Sequence, residues 1–487
     1  MKSAFIITFI LGLAISALAA TNPDPDYIKI CKSNIKLTPH GLEDIAPGQL
    51  AQDTANLQWI FNNYPHSNIH IRSGILHISE MIEAANYQGV IKGDGTDLTT
   101  IAGRGPLIDG IHSFPALNQD FVERFYPTGA PHLIWFHAIE GEANDWQETA
   151  IDLTIKDLTI EMFGQGPIGT NFGIPFRSLW SMIMITGYNA YLNGTVGGGV
   201  SHADVTVKDT KFVSNYQPYQ LDMFGQLMTI NNTNVAYGLF VFGGEDWVFL
   251  GADGEFNGYG ESDHSPINGI FDIKDNEFRG FHESAVIIEA VYTKSFPAIE
   301  NLYEFPTNPE FPVSTIDIKD NIFVDNGAGM NDVIPFGFNI LFLNPSDVEI
   351  NIKDNHFFQC HRVAIVDIQG LASTIPQENS VIQINDNVFE MIPNSLNGAA
   401  IQLFDSSFFL GTSVSLSAHD NVIEGKEGYN GKLVDLGIGI GADVNNNVFI
   451  GVADVGISIG NTIDPQNPGA PLPVMGSMIE ENDFSQL

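Results

Sequence analysis

The segment Ile273-Lys274-Asp275-Asn276-Glu277-Phe278 returns as Ile318-Lys319-Asp320-Asn321-Ile322-Phe323 and as Ile352-Lys353-Asp354-Asn355-His356-Phe357. Looser copies follow around Asn387, Asn421, Asn447 and Asn482, and degenerate copies precede them at Ile155–Leu158 and Val207–Phe212. From Asn276 onward, the steps between these asparagines are 45, 34, 32, 34, 26 and 35 residues. Self-similarity at this period predicts a repeat architecture in which stacked units share one core.

Each repeat has the pattern of two strands around a turn, followed by a third strand. Ile316 and Ile318, like Ile350 and Ile352, alternate with polar residues before the motif, as in a half-buried strand. A further apolar segment follows several of the copies, namely 285–291, 363–369, 400–404, 433–440 and 456–459. The sequence therefore predicts an all-β protein, a parallel β-helix whose successive coils lie one strand spacing apart, about 4.8 Å.

The recurring asparagine has a structural explanation. A sharp bend needs a residue that tolerates left-handed backbone angles, and Asn does so better than most residues other than Gly. Stacked coils would also align these amides in a hydrogen-bonded ladder. Lys274, Lys319 and Lys353 would stack beside an Asp column, which we interpret as a solvated surface pattern.

Composition limits the possible partners. The 487 residues contain 20 Lys and Arg against 58 Asp and Glu, a formal net charge of -38. So acidic a surface repels phosphate backbones, which excludes nucleic acid as an expected partner. Anionic polymers are disfavoured as well, unless a divalent cation bridges the two.

The first 19 residues have the pattern of a secretory signal peptide. Lys2 precedes an apolar run over 4–13, and Ala17-Leu18-Ala19 forms a cleavage signal. No later segment approaches the roughly 20 apolar residues that span a bilayer. We expect a secreted monomer, extracellular or periplasmic, without membrane insertion. Cys31 and Cys360 are either a disulfide pair or two buried thiols.

The N-terminal region resembles a known superfamily. Residues 53–64, with Leu57, Ile60 and Phe61 at helical spacing after the possible caps Asp53 and Thr54, predict a short amphipathic helix. Strand-like segments follow at 70–79 and 90–101, the second carrying G-x-G-x-x-x-T at 93–99. This order is similar to the opening of the secreted pectate-lyase-like superfamily, in which a helix plugs the end of the solenoid.

The resemblance implies a right-handed parallel β-helix with a short N-terminal capping helix, a fold found in polysaccharide lyases, hydrolases and epimerases. We expect residues 20–487 to form one domain, with the cap and first coils at 45–105, coils with long loops at 106–270 and regular coils at 271–487. The sequence lacks the R-x-P-x-x-R motif of pectate lyases, the motif set of polygalacturonases and the D-P-H motif of mannuronan epimerases. The resemblance therefore indicates a fold and leaves the activity open.

Polar residues on the third strand of several coils form the candidate site. With Val286, Ile288, Ala364 and Val366 facing inward, alternation sends Glu289 and Asp367 outward. The same face would carry Gln402, Asp435 and Ser458. Carboxylates one or two coils apart, roughly 5 to 10 Å, suit a general acid and base pair or calcium binding. The alternative is that they are ordinary surface residues of an acidic protein.

Further candidates lie near this row. Arg362 or His361, just before Asp367, could serve as the base of a uronate lyase. Calcium is the cofactor that the pattern indicates, with Glu289 and Asp367 as one set of ligands. Asp253 and Glu255, in a segment that resembles the start of an EF-hand loop, are another. Trp180 and Trp247 are candidates for stacking on sugar rings, or for packing the bases of loops.

Two functions from different classes remain open at this point. One is a secreted carbohydrate-active enzyme, a lyase, hydrolase or epimerase of an extracellular polysaccharide. The other is a non-catalytic surface or matrix protein that presents a rigid solenoid to a glycan or protein partner. The enzyme requires its carboxylates to converge with a basic residue in one cleft, whereas the binding protein does not.

Overall fold

The computed structural model describes part of the chain. The described residues are 28–30, 47–104, 107–108, 111–112, 132–138, 149–163, 168–171, 174–177, 181–187, 201–215, 220–221, 227–228, 237–242, 248–250, 256–259, 267–281, 284–289, 313–327, 338–343, 345, 348–369, 380–393, 398–405, 414–436, 440–459 and 478–486. They contain one helix, α1 (Pro47–Asn63), and many short strands. The predicted signal peptide at 1–19 lies outside the described residues.

The strands of the first coils differ in length, from 2 to 15 residues. In chain order they are β1 (Ile28–Ile30), β2 (Ile69–Ile71), β3 (Gly74–Ile78), β4 (Ile82–Ala85), β5 (Gln88–Lys92), β6 (Thr99–Arg104), β7 (Leu107–Ile108), β8 (Ile111–His112), β9 (His132–His137), β10 (Thr149–Phe163), β11 (Ile168–Asn171), β12 (Ile174–Arg177), β13 (Ser181–Thr186), β14 (Ser201–Asn215), β15 (Gln220–Leu221), β16 (Leu227–Met228), β17 (Tyr237–Phe242), β18 (Val248–Leu250) and β19 (Phe256–Tyr259).

From residue 267 onward the strands recur in groups of three. They are β20 (Ile267–Lys274), β21 (Glu277–Arg279), β22 (Ser284–Glu289), β23 (Ser314–Lys319), β24 (Ile322–Val324), β25 (Phe338–Leu343), β26 (Val348–Lys353), β27 (His356–Cys360), β28 (Val363–Gln369), β29 (Ser380–Asn385), β30 (Val388–Met391), β31 (Ala399–Asp405), β32 (Val414–His419), β33 (Val422–Gly425), β34 (Lys432–Leu436), β35 (Ile440–Asn445), β36 (Val448–Gly451), β37 (Val455–Ile459), β38 (Met478–Glu480) and β39 (Asp483–Gln486).

These strands stack in parallel to form three faces of a β-helix. Face A contains the strands before the motif turn, and face B contains those after it; together they make a 21-stranded sheet in which β10 and β14 span both faces. Face C is a ten-stranded sheet that runs from β4 through β9, β13, β17, β22, β25, β28, β31 and β34 to β37. Small antiparallel sheets, β7–β8, β11–β12–β15–β16 and β18–β19, lie between coils in the sequence. The predicted parallel β-helix is confirmed.

The predicted third strands match face C closely. Segments 363–369 and 456–459 are strands at those positions, to within one residue. The segment predicted to run from 433 to 440 is too long: β34 ends at Leu436, and Ile440 begins β35 of the next coil. Leu433, Val434, Leu436 and Ile440 are all apolar, so hydrophobicity alone does not show that Ile440 lies on a different strand from the others.

The bend of the motif is made by the residue before each asparagine. Asp275, Asp320, Asp354, Asp386 and Asp420 have φ between +54° and +57°. The prediction that the asparagine itself takes the left-handed conformation is therefore wrong by one position. Asp shares with Asn a short polar side chain that tolerates this region. Placing it there leaves the following asparagine free to turn its side chain into the solenoid.

The asparagines form the predicted ladder. Asn321 donates both its backbone N–H and its Nδ2 to Oδ1 of Asn355, at 2.9 and 3.0 Å, and also donates Nδ2 to the carbonyl of Ile273 in the coil before. The same pattern joins Asn276, Asn321, Asn355, Asn387, Asn421, Asn447 and Asn482. All but Asn482 are buried. Each amide thus satisfies backbone groups that a sharp turn would leave unpaired inside the protein.

Stacked apolar columns fill the interior beside the ladder. Phe212, Phe278, Phe323, Phe357 and Phe389 lie in parallel planes, with ring centroids 4.7 to 5.2 Å apart. All five side chains are buried. Because the step between rings equals the strand spacing, each coil adds one ring to the stack without a change in geometry.

Helix α1 closes the first coil. Leu57, Ile60 and Phe61 are buried in the core, as predicted. Asp53 and Thr54 are not caps, because the helix begins at Pro47; they accept hydrogen bonds from the backbone N–H groups of His77 and Ser79 at 3.1 and 2.8 Å. Burial raises the pKa of Asp53. The helix thus covers a sheet edge and pairs its exposed backbone groups.

The G-x-G-x-x-x-T segment is a turn held by one carboxylate. Asp94 accepts hydrogen bonds from His70, at 2.7 Å, and from the backbone and hydroxyl of Ser73, at 2.7 and 2.8 Å. Gly95 has φ +134°, which an L side chain rarely adopts. The hydrogen bonds, those from Ser73 above all, lower the pKa of Asp94 to about 2.

Two further features bear on localisation and redox state. Within the described part of the chain, no helix is both long and apolar enough to cross a membrane. Cys360 is a free, buried thiol whose sulfur accepts a hydrogen bond from the amide of Asn339, at 3.4 Å. Burial raises the pKa of this thiol. Cys31 lies outside the described residues.

We expect Asn355→Ala to destabilise the solenoid. It removes the Oδ1 that accepts two hydrogen bonds from Asn321, and each buried donor left unpaired costs about 1–3 kcal/mol. Urea or thermal unfolding should show a loss of about 3 kcal/mol. Asn351→Ala is the matched control, because its amide bonds Asp317 on the outer surface and should cost about 0.5 kcal/mol or less. Equal losses in the two variants would contradict a stabilising ladder.

We expect the contribution of Asp94 to stability to depend on pH. Its folded pKa lies below the ordinary value of 3.8, so this contribution is present above about pH 4 and is lost as the pH falls towards 2. Asp94→Asn should lower the melting temperature at pH 6, and its curve should approach that of the wild type by pH 2. The control, Asp97→Asn, changes a carboxylate that is 87% exposed, and its curve should follow that of the wild type throughout.

Candidate functional site

The outer surface of face C is the surface on which the candidate residues were predicted. Val286 and Ile288 of β22 belong to the central core, and Ile287 between them does not. Ile287 is in register with Phe240, Leu341 and Val366 on neighbouring coils. We call this line of positions, which faces away from the core, the outer row. In the middle of the solenoid, Phe240, Ile287 and Leu341 of the outer row are apolar and buried.

The three predicted carboxylates do not share one row. Asp435 lies in the outer row, since it pairs with Gln402, which pairs with Val366. Asp367 is in register with Phe342 and Leu403, which belong to the core. Glu289 lies one position further along its strand, in register with Leu343. Successive carboxylates are also two coils apart, about 10 Å. The strand register therefore does not align these three residues, and the roles predicted for them stay predictions.

A local irregularity in β28 explains why the observed register differs from the predicted one. Ala364 and Ile365 are successive residues of β28, and both belong to the core. Strict alternation counted from Ala364 would send Ile365 outward, so it assigns every later position of β28 to the wrong side of the sheet. Val366, predicted to face inward, occupies the outer row, and Asp367 does not.

One part of the predicted row does come together. Gln402, Asp435 and Ser458 are in register on the successive strands β31, β34 and β37. Gln402 Nε2 donates to Asp435 Oδ2 at 3.3 Å. Lys432, a residue that sequence reasoning missed, donates to Asp435 Oδ1 at 2.7 Å and to Ser458 Oγ at 3.3 Å. The side chains of Lys432 and Asp435 are 25% and 13% exposed. We call these four residues the polar row.

His361 and Arg362 lie at the turn that leads into face C. His361 Nε2 is 2.6 Å from Asp325 Oδ1 on the preceding coil, so Asp325 is a partner of His361 that the sequence did not predict. The Nε and Nη1 atoms of Arg362 are shielded from solvent and have no hydrogen-bond partner among the described residues. Burial lowers the pKa of this guanidinium.

A second polar cluster lies at the other end of face C, and sequence reasoning missed it. Glu83 Oε1 is 2.8 Å from His137 Nε2. The Trp135 ring stacks on His137 at 4.0 Å and donates to Thr186 Oγ1 at 2.9 Å. The signal in the sequence was a pair of histidines at the ends of an apolar strand, 132–137. Glu83, the partner of His137, lies 54 residues earlier in the chain, so the sequence does not show that the two side chains meet.

The described residues contain no ligand cluster that would support the calcium prediction. No group of three His, Cys, Asp or Glu side chains there is arranged to hold a metal ion. Glu289 and Asp367 stand in different registers, as shown above. Asp253 and Glu255, like Trp180 and Trp247, lie outside the described residues. The roles of these four stay predictions.

Comparison with known proteins gives matches in structure and none in sequence. No family model matches the sequence, and no curated protein does. In structure the chain is similar to the A-module of the Azotobacter vinelandii mannuronan C-5 epimerase AlgE4, with 10% identity, a TM-score of 0.35, and coverage of 90% of this chain and 96% of that one. It is also similar to PfbA, a surface adhesin of Streptococcus pneumoniae, with 13% identity, a TM-score of 0.38, and coverage of 86% and 90%.

A third similar structure is the Yersinia enterocolitica family 28 exopolygalacturonase. Its identity is 8%, its TM-score is 0.31, and the match covers 85% of this chain and 76% of that one. The parallel β-helix of this chain rests on its own strand pairings. At these values the likeness describes the course of the backbone and nothing of the chemistry.

We expect Arg362→Met to stabilise the protein. Two guanidinium nitrogens are shielded from solvent and have no hydrogen-bond partner among the described residues. Burial of a donor without a partner costs free energy, and methionine, an apolar side chain of similar length, avoids this cost. The free energy of unfolding should rise by about 1 kcal/mol. Arg279→Met is the control, because Arg279 is half exposed and paired with Glu277, and should change little. A loss of stability on Arg362→Met would show that the guanidinium has a stabilising partner.

Proposed function

We propose that this protein binds an extracellular polysaccharide through the polar row on the outer surface of face C. The observation that carries the proposal is the alignment of Gln402, Asp435 and Ser458 on three successive coils, with Lys432 joining the carboxylate to the hydroxyl. An amide, a carboxylate, a hydroxyl and an ammonium group are thereby presented together on one partly exposed strip.

The row offers the groups that sugar hydroxyls bind. Gln402 Oε1 and the second lone pair of each Asp435 oxygen can accept hydrogen bonds, and the hydroxyl of Ser458 can donate one. Positions along the row repeat at the strand spacing, about 4.8 Å, a step comparable with one sugar residue of an extended chain. Because the strands are locked into a parallel sheet, the groups are ordered before the ligand arrives, which lowers the entropic cost of binding.

The arrangement favours binding over catalysis. An acid and base pair requires two carboxylates within reach of one bond, and Glu289, Asp367 and Asp435 lie in different registers, two coils apart. Asp435 is in addition held by Lys432 and Gln402. The polar row itself balances one anion against one cation, whereas the whole chain has a net charge of -38. We therefore infer that a neutral polysaccharide is preferred to a polyanionic one.

The remaining parts of the proposal rest on the sequence. Lys2, the apolar run at 4–13 and Ala17-Leu18-Ala19 support export, and export would bring the protein to extracellular glycans. Calcium remains a predicted cofactor, with Asp253 and Glu255 as predicted ligands. The binding experiment is therefore carried out with and without calcium.

We expect Asp435→Ala to weaken glycan binding by tenfold or more. Hydrogen bonds to a charged group are worth about 1.5–3 kcal/mol each, and the change also releases Lys432. The measurement is retention on a glycan array followed by calorimetry with the best ligand, with and without calcium. Asp317→Ala is the matched control on face A: Asp317 is likewise bonded to a lysine, Lys319 at 3.0 Å, and to an amide, Asn351 at 2.9 Å.

The outcomes separate the two classes of function. Loss of binding in Asp435→Ala alone supports the proposal, whereas equal affinity in both variants contradicts a role for the polar row. Incubated polysaccharide should remain intact. New reducing ends, or unsaturated ends that absorb ultraviolet light, would establish a hydrolase or a lyase and would overturn the non-catalytic proposal.

A further inference from the structure

The outer face of helix α1 carries two exposed aromatic side chains that are in contact. Trp59 is 54% exposed and Tyr64 is 48% exposed. Their ring centroids lie 5.6 Å apart, and the rings meet at an angle of 66°. Aromatic side chains of this size bury roughly 150–250 Å² each when they are covered, so the pair concentrates a large apolar area at one place. Such an area on a protein surface marks an interaction site.

The helix holds this aromatic pair in place. On its other side α1 is packed into the core by three apolar residues, Leu57, Ile60 and Phe61. Asn63 Nδ2 donates to the carbonyl of Trp59 at 2.8 Å, and Ser67 Oγ donates to the carbonyl of Tyr64, also at 2.8 Å. A ligand that binds here therefore meets groups that are already ordered, which lowers the entropic cost of binding.

Amide side chains lie around the aromatic pair. Asn56 and Asn63 stand three residues before and four residues after Trp59, which places them beside it on the same face of the helix. Both are exposed, as is Asn62. The Oδ1 of Asn62 accepts a hydrogen bond from Gln58 at 2.8 Å, so its N–H groups can donate to a ligand. Amides both donate and accept hydrogen bonds, and so do the hydroxyls of a sugar.

The stretch of chain that forms this surface carries no formal charge. Residues 54–69 contain no Asp, Glu, Lys or Arg, although the whole chain has a net charge of -38. Without basic residues this surface has no attraction for a polyanion or for the anionic headgroups of a membrane, and without acidic residues it has none for a cationic partner. The complementary ligand is a neutral molecule that has both an apolar face and hydroxyl groups.

We propose that the outer face of α1 binds a neutral pyranose sugar with equatorial hydroxyls. In such a sugar the axial C–H bonds make both faces of the ring apolar, and the hydroxyls form a polar rim. One face would cover Trp59 beside Tyr64, and the rim would reach the amides of Asn62 and Asn63. This site shares with the polar row only the class of ligand, because its residues and its place in the solenoid are different.

The two sites are far apart. Gln58 Nε2 donates to the carbonyl of Glu83 at 2.7 Å, which places α1 beside β4. Asp435 lies on β34, and β4 and β34 are eight strand spacings apart along face C, or about 38 Å. A short oligosaccharide cannot reach from one site to the other. Binding at α1 can therefore be tested separately from binding at the polar row.

Titration of the full chain with neutral tetrasaccharides tests the proposal. The probes are β-1,4-linked tetrasaccharides of glucose, xylose and N-acetylglucosamine, all of which have equatorial ring hydroxyls. Binding is measured by calorimetry on Asp435→Ala, so that the polar row is impaired, and on variants that add Trp59→Ala, Trp59→Phe or Leu98→Ala to this change. Leu98 is the matched control, because it is an apolar residue of the first coils that is 56% exposed and lies outside α1.

We expect saturable binding of at least one probe. Trp59→Ala should weaken it about tenfold or more, whereas Trp59→Phe, which keeps an aromatic ring, should retain most of the affinity. Leu98→Ala should leave the affinity unchanged. All of these variants should keep the melting temperature of Asp435→Ala, because Trp59 and Leu98 are exposed.

Binding of none of the three probes, or equal affinity in Trp59→Ala, would overturn the proposal. So would a dimer in sedimentation, or binding to neutral lipid vesicles, that Trp59→Ala abolishes, because the occupant would then be a second copy or a membrane. The proposed function of the polar row is judged separately, by the effect of Asp435→Ala alone. Either site can thus fail while the other stands.

Discussion

Alignment of the buried asparagine amides is the constraint on which the rest of the structure depends. A turn as tight as the one between faces A and B leaves backbone groups without partners inside the protein, and a buried unpaired group is costly. Each amide satisfies such groups in the coils before and after it, as Asn321 does towards Ile273 and Asn355. Coils can therefore stack only in the register that aligns these residues. The phenylalanine column follows from that register, and so does the alignment of Lys274, Lys319 and Lys353 on successive coils.

The same constraint makes face C the variable face. Faces A and B meet at a turn of fixed length, so their side chains repeat from coil to coil. Face C is reached from face B by connections of different lengths, 2 residues from β27 to β28 and 13 from β24 to β25. The outer row of face C changes along the solenoid. It runs from Glu83 and Trp135, through buried apolar residues, to the polar row around Asp435. A regular scaffold thus carries a surface whose chemistry differs from one end to the other.

Several features were predictable because they depend on local spacing. The repeat, the coil pattern, the ladder, the core residues of α1 and the alignment of Gln402, Asp435 and Ser458 all follow from periodicity. The left-handed residue was misplaced by one position, because Asp and Asn are both suited to it and stand side by side. Asp367 was misplaced because alternation cannot reveal that both Ala364 and Ile365 face the core. Lys432 was missed because its role depends on contact with the next coil, at Ser458.

The amino-acid sequence by itself determined that this protein is a parallel β-helix, with a strongly acidic surface and aligned asparagines at its turns. These properties follow from composition and from a period that every coil must share to bury its apolar side. Only the tertiary structure decided which polar residues meet on face C, and that two nitrogens of Arg362 are shielded from solvent without a hydrogen-bond partner among the described residues. Those contacts join residues on different coils, and the distance in sequence between coils varies from one coil to the next. Spacing along the chain therefore carries no record of them.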